Sequence, residues 1–530
     1  MPASASRFGP FVLDRSGYRL LRGNEPIRLT PQQLDLLLHL VDRAGALVTK
    51  EELLDALWPH ANVTENALTQ AVSELRQALG DSASAPQFIK TIARRGYRFI
   101  GAIETGSTSP VPAVERPSIE IDDNKILTVV IQSLTNLGIV VPRVEGPSVG
   151  GRDTPILAAY RASVEGWLRL ETLDVGELPK AVTLFEHAVE ADPRYALAHA
   201  GLATAEFALY EETRADLRPA QERLERAIAS ARHAVALDDH LAEAHATLAL
   251  VLVSAWKTEE AARAARRAVA LEPASWRHLF RLSHATWGEE RLRAASSMLA
   301  LYPDFAYAHF QMAMVHVARG HLVEAETVLR QGAAVQDRQI GRGGRYPALG
   351  LHWMLGFVRL AQHDPADALR EFERELAVAE PHRLYGREYT VEAHYGRGAA
   401  LLDLQHTQGA MDALHQALSL DPDHVLTRLA LVRALRLCDR LSAVDAELAR
   451  VEQTVAVMAT TRPREASLMR ARQLEACARL DESIEILEHF LDQAPPGFAA
   501  WSLPIDPLLR SLGGRERYDR VRIRLNARAA

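Results

Sequence analysis

A motif of small residues recurs through most of this chain, and it restricts the fold more than any other feature. Ala181, Phe185 and Ala188 precede Pro193, and Ala261, Ala265 and Ala268 precede Pro273. Ala325, Leu329 and Gly332 follow at the same spacing, then Ala368, Phe372 and Glu375, then Ala410, Leu414 and Ala417 before Pro422. Steps of three and four keep each set on one face of a helix. Small residues on that face let a second helix approach closely, larger ones fill the space between, and a proline or an acid ends the unit. A two-helix unit cannot bury its apolar face alone, so neighbouring units must stack. The pattern predicts a mainly α architecture over residues 156–530, an α-solenoid with a concave groove. Longer insertions interrupt it near residues 338–349 and 381–390, and residues 495–530, with Trp501, Ile505-Asp506-Pro507 and Tyr518, read as a divergent end cap.

His199, His245, His309 and His394 each follow an alanine at one phase of the first helix of a unit, with His352 in the equivalent place. One histidine per stacked unit puts neighbours a helix pair apart, too far to share an ion, so packing is the expected role. No metal or other cofactor is expected. The two cysteines, Cys438 and Cys477, are too few for a disulfide framework or a structural zinc site and are expected to be buried apolar thiols in a reducing cytoplasm.

At 530 residues the chain is long enough for several domains, and 48% hydrophobic with 24% charged residues is a globular composition. The formal net charge of -7 means that any surface for nucleic acid must be local. Residues 1–104 carry 12 Lys and Arg against 11 Asp and Glu, so the acidity lies in the remainder. The first residues lack an apolar signal core. The most hydrophobic linker stretch, residues 126–141, is broken by Gln132, Ser133, Thr135 and Asn136, so no membrane span is expected.

The N-terminal part reads differently. Between residues 8 and 29, short apolar runs alternate with turn residues, which predicts a small antiparallel sheet. Thr30-Pro31-Gln32-Gln33 opens a helix that should run to about Arg43 before Gly45, and Thr49-Lys50-Glu51-Glu52 is a capping box opening a second, through Leu57 to Trp58. In a third helix Leu68, Val72, Leu75 and Leu79 form one apolar face. The opposite face carries Asn66, Thr69, Gln70, Ser73 and Gln77, uncharged donors and acceptors short enough to meet base edges in a major groove, with Arg76 beside them for phosphate. Residues 86–100 then read as two strands joined at Ala93-Arg94-Arg95-Gly96, with Gly96 suited to a positive φ. Arg94, Arg95 and Tyr97 gather at this turn, where guanidinium groups suit phosphate or a narrow minor groove. Residues 105–120 form a Pro/Ser/Thr/Gly linker, residues 121–144 suggest a short helix and strand, and another loop precedes the repeats. The expected domains are 1–104, a linker over 105–155, and 156–530.

The order of a small sheet, three helices and a hairpin closing on Arg-Arg-Gly-Tyr-Arg-Phe resembles the OmpR/PhoB-type winged-helix DNA-binding domain. The stretches from Asn66 to Arg76 and from Thr91 to Phe99 resemble the version in CadC- and HilA-like activators. The resemblance implies an N-terminal α+β winged helix-turn-helix whose third helix enters the major groove and whose wing meets the adjacent minor groove. These roles fall on Asn66, Thr69, Gln70, Ser73 and Arg76, and on Arg94, Arg95 and Tyr97. No receiver domain with a phosphoacceptor aspartate precedes the motif, so control by phosphotransfer is not expected. The later helical part resembles tetratricopeptide repeats of roughly 34 residues.

The implied function is a cytoplasmic, sequence-specific DNA-binding regulator whose repeats sense a signal or bind a partner. The implied partners are double-stranded DNA, a protein or peptide in the repeat groove and, further, RNA polymerase. The competing reading is a tetratricopeptide scaffold in which the winged helix serves protein contact. An enzyme ranks last, because the chain has no phosphate-binding Gly-rich loop, metal-ligand cluster or Gly-x-Ser-x-Gly elbow. Gly341-Arg-Gly-Gly-Arg345 lacks a preceding strand and reads as a loop.

Overall fold

The computed structural model describes residues 5–14, 19–22, 25–27, 31–50, 52–53, 68, 72–73, 75–76, 78–82, 86–92, 95–101, 103–104, 154–339, 348–495 and 497–530. The chain forms two compact units, Met1–Glu120 and Ile121–Ala530. The expected linker and its short helix and strand, and the Gly341–Arg345 loop, lie outside the described residues.

In the first unit, strands β1 (Ala5–Phe8), β2 (Phe11–Asp14), β3 (Arg19–Arg22) and β4 (Glu25–Ile27) form an antiparallel meander. A helix over Pro31–Asp42 follows and buries Leu34, Leu36, Leu37 and Leu40. Strand β5 (Val48–Thr49) and the hairpin β6 (Ile89–Ile92) and β7 (Gly96–Phe99) make a second sheet in the order β5-β7-β6. Strand β8 (Ile103–Glu104) returns to pair with β1 and complete the first sheet, a pairing with no local signature. Phe8, Phe11, Phe88 and Phe99 pack as an aromatic cluster, with Phe8 and Phe99 edge to face at 5.1 Å. The capping box forms as expected. The Thr49 N–H donates to Glu52 Oε2 at 2.8 Å and the Glu52 N–H donates to Thr49 Oγ1 at 3.1 Å.

The second unit is a stack of helix pairs. Each second helix lies against the first helix of its own pair and that of the next, and the first helices also touch one another, so they form the inner layer. The small-residue seams do what their spacing predicts. The Phe185 ring fills the seam between two first helices at Gly166 and Gly201, where an added Cβ would lie 2.8 and 2.1 Å from it. Phe372 does the same between Gly356 and Gly396, at 2.7 and 2.2 Å.

The turns within the pairs also repeat. Trp256, Gly320, His363, Gln405, Asp439 and Ala478 all have φ between +52° and +75°, and the next residue's N–H donates back to a carbonyl five residues earlier, as from Lys257 to Leu252 and from His406 to Leu401. This is the Schellman helix ending, which favours glycine; only one of the six positions is glycine, so the sequence hides it. Cys438 and Cys477 immediately precede two of these left-handed residues and are exposed, which corrects the expectation of buried thiols.

The histidines stay in separate pairs. His199 Nε2 lies 3.0 Å from the Pro193 carbonyl and His245 Nε2 lies 2.9 Å from the Asp239 carbonyl, so each ties its helix to the preceding loop. His352 instead sits between Glu371 and Asp337, at 2.6 and 2.9 Å.

Two features depart from an open solenoid. The insertion near residue 381 is a strap across the array. Leu384 N–H donates to Leu173 O at 2.8 Å, Val175 N–H donates to His382 O at 3.0 Å, and Arg214 grips Glu388 at 2.8 and 2.9 Å. The C-terminal segment is not an end cap. Its last helix, Glu516–Arg528, packs Tyr518, Val521 and Leu525 into a cluster with Val315 and Ala318, and Arg319 Nε donates to Ala529 O at 2.8 Å. The array therefore closes on itself, and the first helices line a cavity of about 900 Å³ where the pattern suggested a groove. Among the described residues no helix is long and apolar enough to cross a membrane.

Candidate nucleic-acid interface

Leu68, Val72, Ser73, Leu75, Arg76, Ala78 and Leu79 are helical, and Leu68, Val72, Leu75 and Leu79 are buried in the core of the first unit. Burial of this stripe fixes how the helical positions face, and Ser73 is exposed on the other side. Asn66, Thr69, Gln70 and Gln77 lie outside the described residues.

The hairpin is held to this segment by two devices. Arg76 is 9% exposed, and its Nη2 donates to Ile89 O and to Thr91 Oγ1, both at 2.8 Å. This corrects the phosphate role expected for Arg76: its guanidinium is engaged inside the domain and ties the helical segment to β6. Asp81 accepts backbone N–H bonds from Ser82, Gln87, Phe88 and Ile89, at 2.9, 2.6, 3.2 and 2.7 Å. Burial works against its ionisation, but these four donors prevail and hold the carboxyl below the usual carboxylate range. The sequence reading missed both devices, and the only signal was an acid at the exit of a helix.

The hairpin turns where expected. Arg95 N–H donates to Ile92 O at 3.0 Å, and the Arg95 carbonyl accepts from Lys50 N–H at 3.2 Å. Gly96 has φ +151°, and a Cβ there would lie 2.0 Å from Val48 O, so close approach of β5 dictates the glycine as much as the turn does. The Arg95 side chain is exposed, as are Lys90 and Thr91 on β6. Arg94 lies outside the described residues. Tyr97 is 4% exposed within the core, which corrects its placement at the exposed tip; alternation along β7 turns its ring inward. The exposed described groups are thus Ser73 on the helical segment and Lys90, Thr91 and Arg95 on the hairpin.

Residues 24–99 match the family model described as transcriptional regulatory protein, C terminal, and residues 391–424 match the tetratricopeptide repeat. The chain is 32% identical over 182 residues to the cholera toxin homolog transcriptional activator of Vibrio parahaemolyticus, covering 32% of this chain and 61% of that protein. It is 32% identical over 95 residues to the transcriptional activator CadC of Escherichia coli, covering 18% of this chain and 19% of that one. The DNA-binding domain of Klebsiella pneumoniae RstA, solved in complex with the RstA box, is 27% identical with a TM-score of 0.18, covering 18% of this chain and 98% of that one. The chain thus spans less than two thirds of the length of these curated relatives. On these matches and this fold, the N-terminal unit is a winged-helix DNA-binding domain of the OmpR/PhoB type, and the helical array is a tetratricopeptide-repeat region.

Proposed function

We propose that this protein is a sequence-specific transcriptional regulator acting in the cytoplasm, with residues 1–104 as its DNA-binding domain and residues 156–530 as its sensing or partner-binding domain. The observation that carries this reading is the pairing of a polar helical face, exposed at Ser73, with a basic hairpin clamped to it through Arg76. Helical spacing puts Asn66, Thr69 and Gln70 in phase with Ser73, for base edges in the major groove. Arg94 and Arg95, at the hairpin turn, serve phosphate or minor-groove charge. RNA polymerase is the partner that activation of transcription would require.

Selection of bound sites from random duplex DNA tests the proposal. Gln70→Ala should relax preference at one base position and cost roughly 1–3 kcal/mol on the selected site, with little effect on unrelated DNA. Replacing Arg94 and Arg95 together should weaken binding to every sequence and flatten the salt dependence, because fewer counterions are released. A full-length chain that enriches no sequence would sink the assignment.

A further inference from the structure

The cavity inside the repeat unit has the size and the lining of a small-molecule site. Its volume is about 900 Å³, within the usual range for small-molecule sites. Its walls include Phe280, Phe305, Phe310, Trp353, Tyr389 and Phe498. Phe310 and Trp353 stack with centroids 6.4 Å apart and planes at 15°, and Phe280 meets Phe305 edge to face at 5.2 Å.

One charge in this wall lacks a counterion. Arg291 is 1% exposed and lines the cavity. Its Nε donates to Ser283 O at 2.7 Å and Thr286 O at 2.9 Å, and its Nη2 to His284 O at 3.0 Å. Nη1 reaches only the Met314 thioether, at 3.5 Å, a weak acceptor. The guanidinium lies over the Trp287 ring at 4.6 Å and near Phe498 at 5.8 Å. Among the described residues no carboxylate pairs with it. Three of the seven acids that line the cavity are engaged elsewhere: Glu388 with Arg214 at 2.8 Å, Glu211 with the Tyr385 hydroxyl at 2.9 Å, and Glu392 beside His424 at 3.4 Å. Burial pushes Arg291 down to about 9. On the same wall His284 is pushed down to about 3, first by burial and then by the charges of Arg291, Arg281 and Arg214. A buried cation without a counterion is costly, and an anion delivered to it offsets that cost.

We propose that this cavity binds a small organic anion with a flat apolar body, its acidic group replacing the thioether at Arg291 Nη1 and its body lying against Phe280, Phe310 and Phe498. The inference deepens the sensing role proposed above and rests on it. The acidic group would make a charge-assisted bond in a desolvated site, and the aromatic walls would select flat bodies over chains.

The test titrates the full chain with two probes that share their ring systems, the anion 8-anilino-1-naphthalenesulfonate and the neutral N-phenyl-1-naphthylamine. The expected result is one saturable site per chain, with the anion tighter by about tenfold or more. Arg291→Met should remove that preference and leave the neutral probe within about twofold, and Arg291→Lys should keep most of it. Met314→Glu supplies an internal carboxylate beside Nη1 and should exclude the anion while still admitting the neutral probe, which serves if Arg291→Met fails to fold. If both probes bind equally, or the anion binds as tightly to Arg291→Met and Met314→Glu as to the unchanged chain, the inference is wrong. DNA affinity measured on the same samples separates the readings: intact DNA selection without probe binding removes the cavity proposal alone.

Discussion

The N-terminal unit and the repeat unit present their chemistry in opposite ways. In the first, the exposed groups Ser73, Lys90 and Arg95 stand outside a core, and the hairpin is held to the helical segment by contacts fairly short in sequence, such as Arg76 to Ile89 and Thr91. In the second, the aromatic and charged groups turn inward, and the cavity exists because residues far apart meet, as Arg214 meets Glu388 and Arg319 meets Ala529. A duplex is too large to enclose, so its reader must lie outside on a rigid base. A small ligand is recognised best where water is excluded, and that needs closure. The same helix-pair chemistry that makes open solenoids makes a chamber here because a strap and a C-terminal return bridge the array.

The sharpest break between the units should come from Phe372→Ala. The ring fills the seam between Gly356 and Gly396, so its loss should cost the repeat unit about 3–5 kcal/mol in denaturant unfolding while the N-terminal transition stays in place. If both transitions fall together, the units are one cooperative body and the contrast fails.

Arg76→Met comes next. Losing two bonds from a charged donor should cost the N-terminal unit roughly 1.5–3 kcal/mol and weaken binding to all DNA alike, with the salt slope unchanged. A reduced slope would return Arg76 to the phosphate role.

Acidity should act on the units in opposite senses. Asp81 has a lowered pKa, so its contribution is present above a pH of about 4 and is lost as pH falls through its folded value. The stability gap between the unchanged chain and Asp81→Asn, read on the N-terminal transition, should therefore close in acid. His352 is the converse case: burial disfavours its charge, but Glu371 and Asp337 prevail and raise its pKa. Its contribution is complete below a pH of about 6.5 and is lost as pH rises through the raised value, so the penalty of His352→Gln should shrink in alkali. A pH-independent penalty for either variant would contradict the assigned cause.

The smallest effect is a gain. His363→Gly and Gln405→Gly relieve left-handed backbone at the repeat turns, at φ +63° in both, and each should stabilise the unit by about 0.5–1 kcal/mol. Gly320→Ala, at the equivalent turn, should do the reverse; no change in melting temperature for all three would mean that these turns carry no strain.

Much of this molecule is legible along the chain. The capping box at Thr49, the stripe of Leu68, Val72, Leu75 and Leu79, the hairpin turn before Gly96 and the seams around Phe185 and Phe372 follow from dihedral preferences and helical period, which act over three or four residues. Local pattern could not assign Arg76 to the interior, because a polar side chain on an amphipathic element points the same way whether solvent or a neighbouring strand receives it, whereas the alternation that buries Tyr97 beside Phe99 is present in the sequence. Nor could it reveal that the insertion near residue 381 is a strap, that the C-terminal helix returns to Val315, or that Arg291 faces a cavity inside the array. The sequence by itself determined which segments are helix, strand and turn and which faces must be covered. Only the tertiary structure decided which distant faces cover one another, because packing joins residues 150 or more apart through contacts that leave no trace in any short stretch.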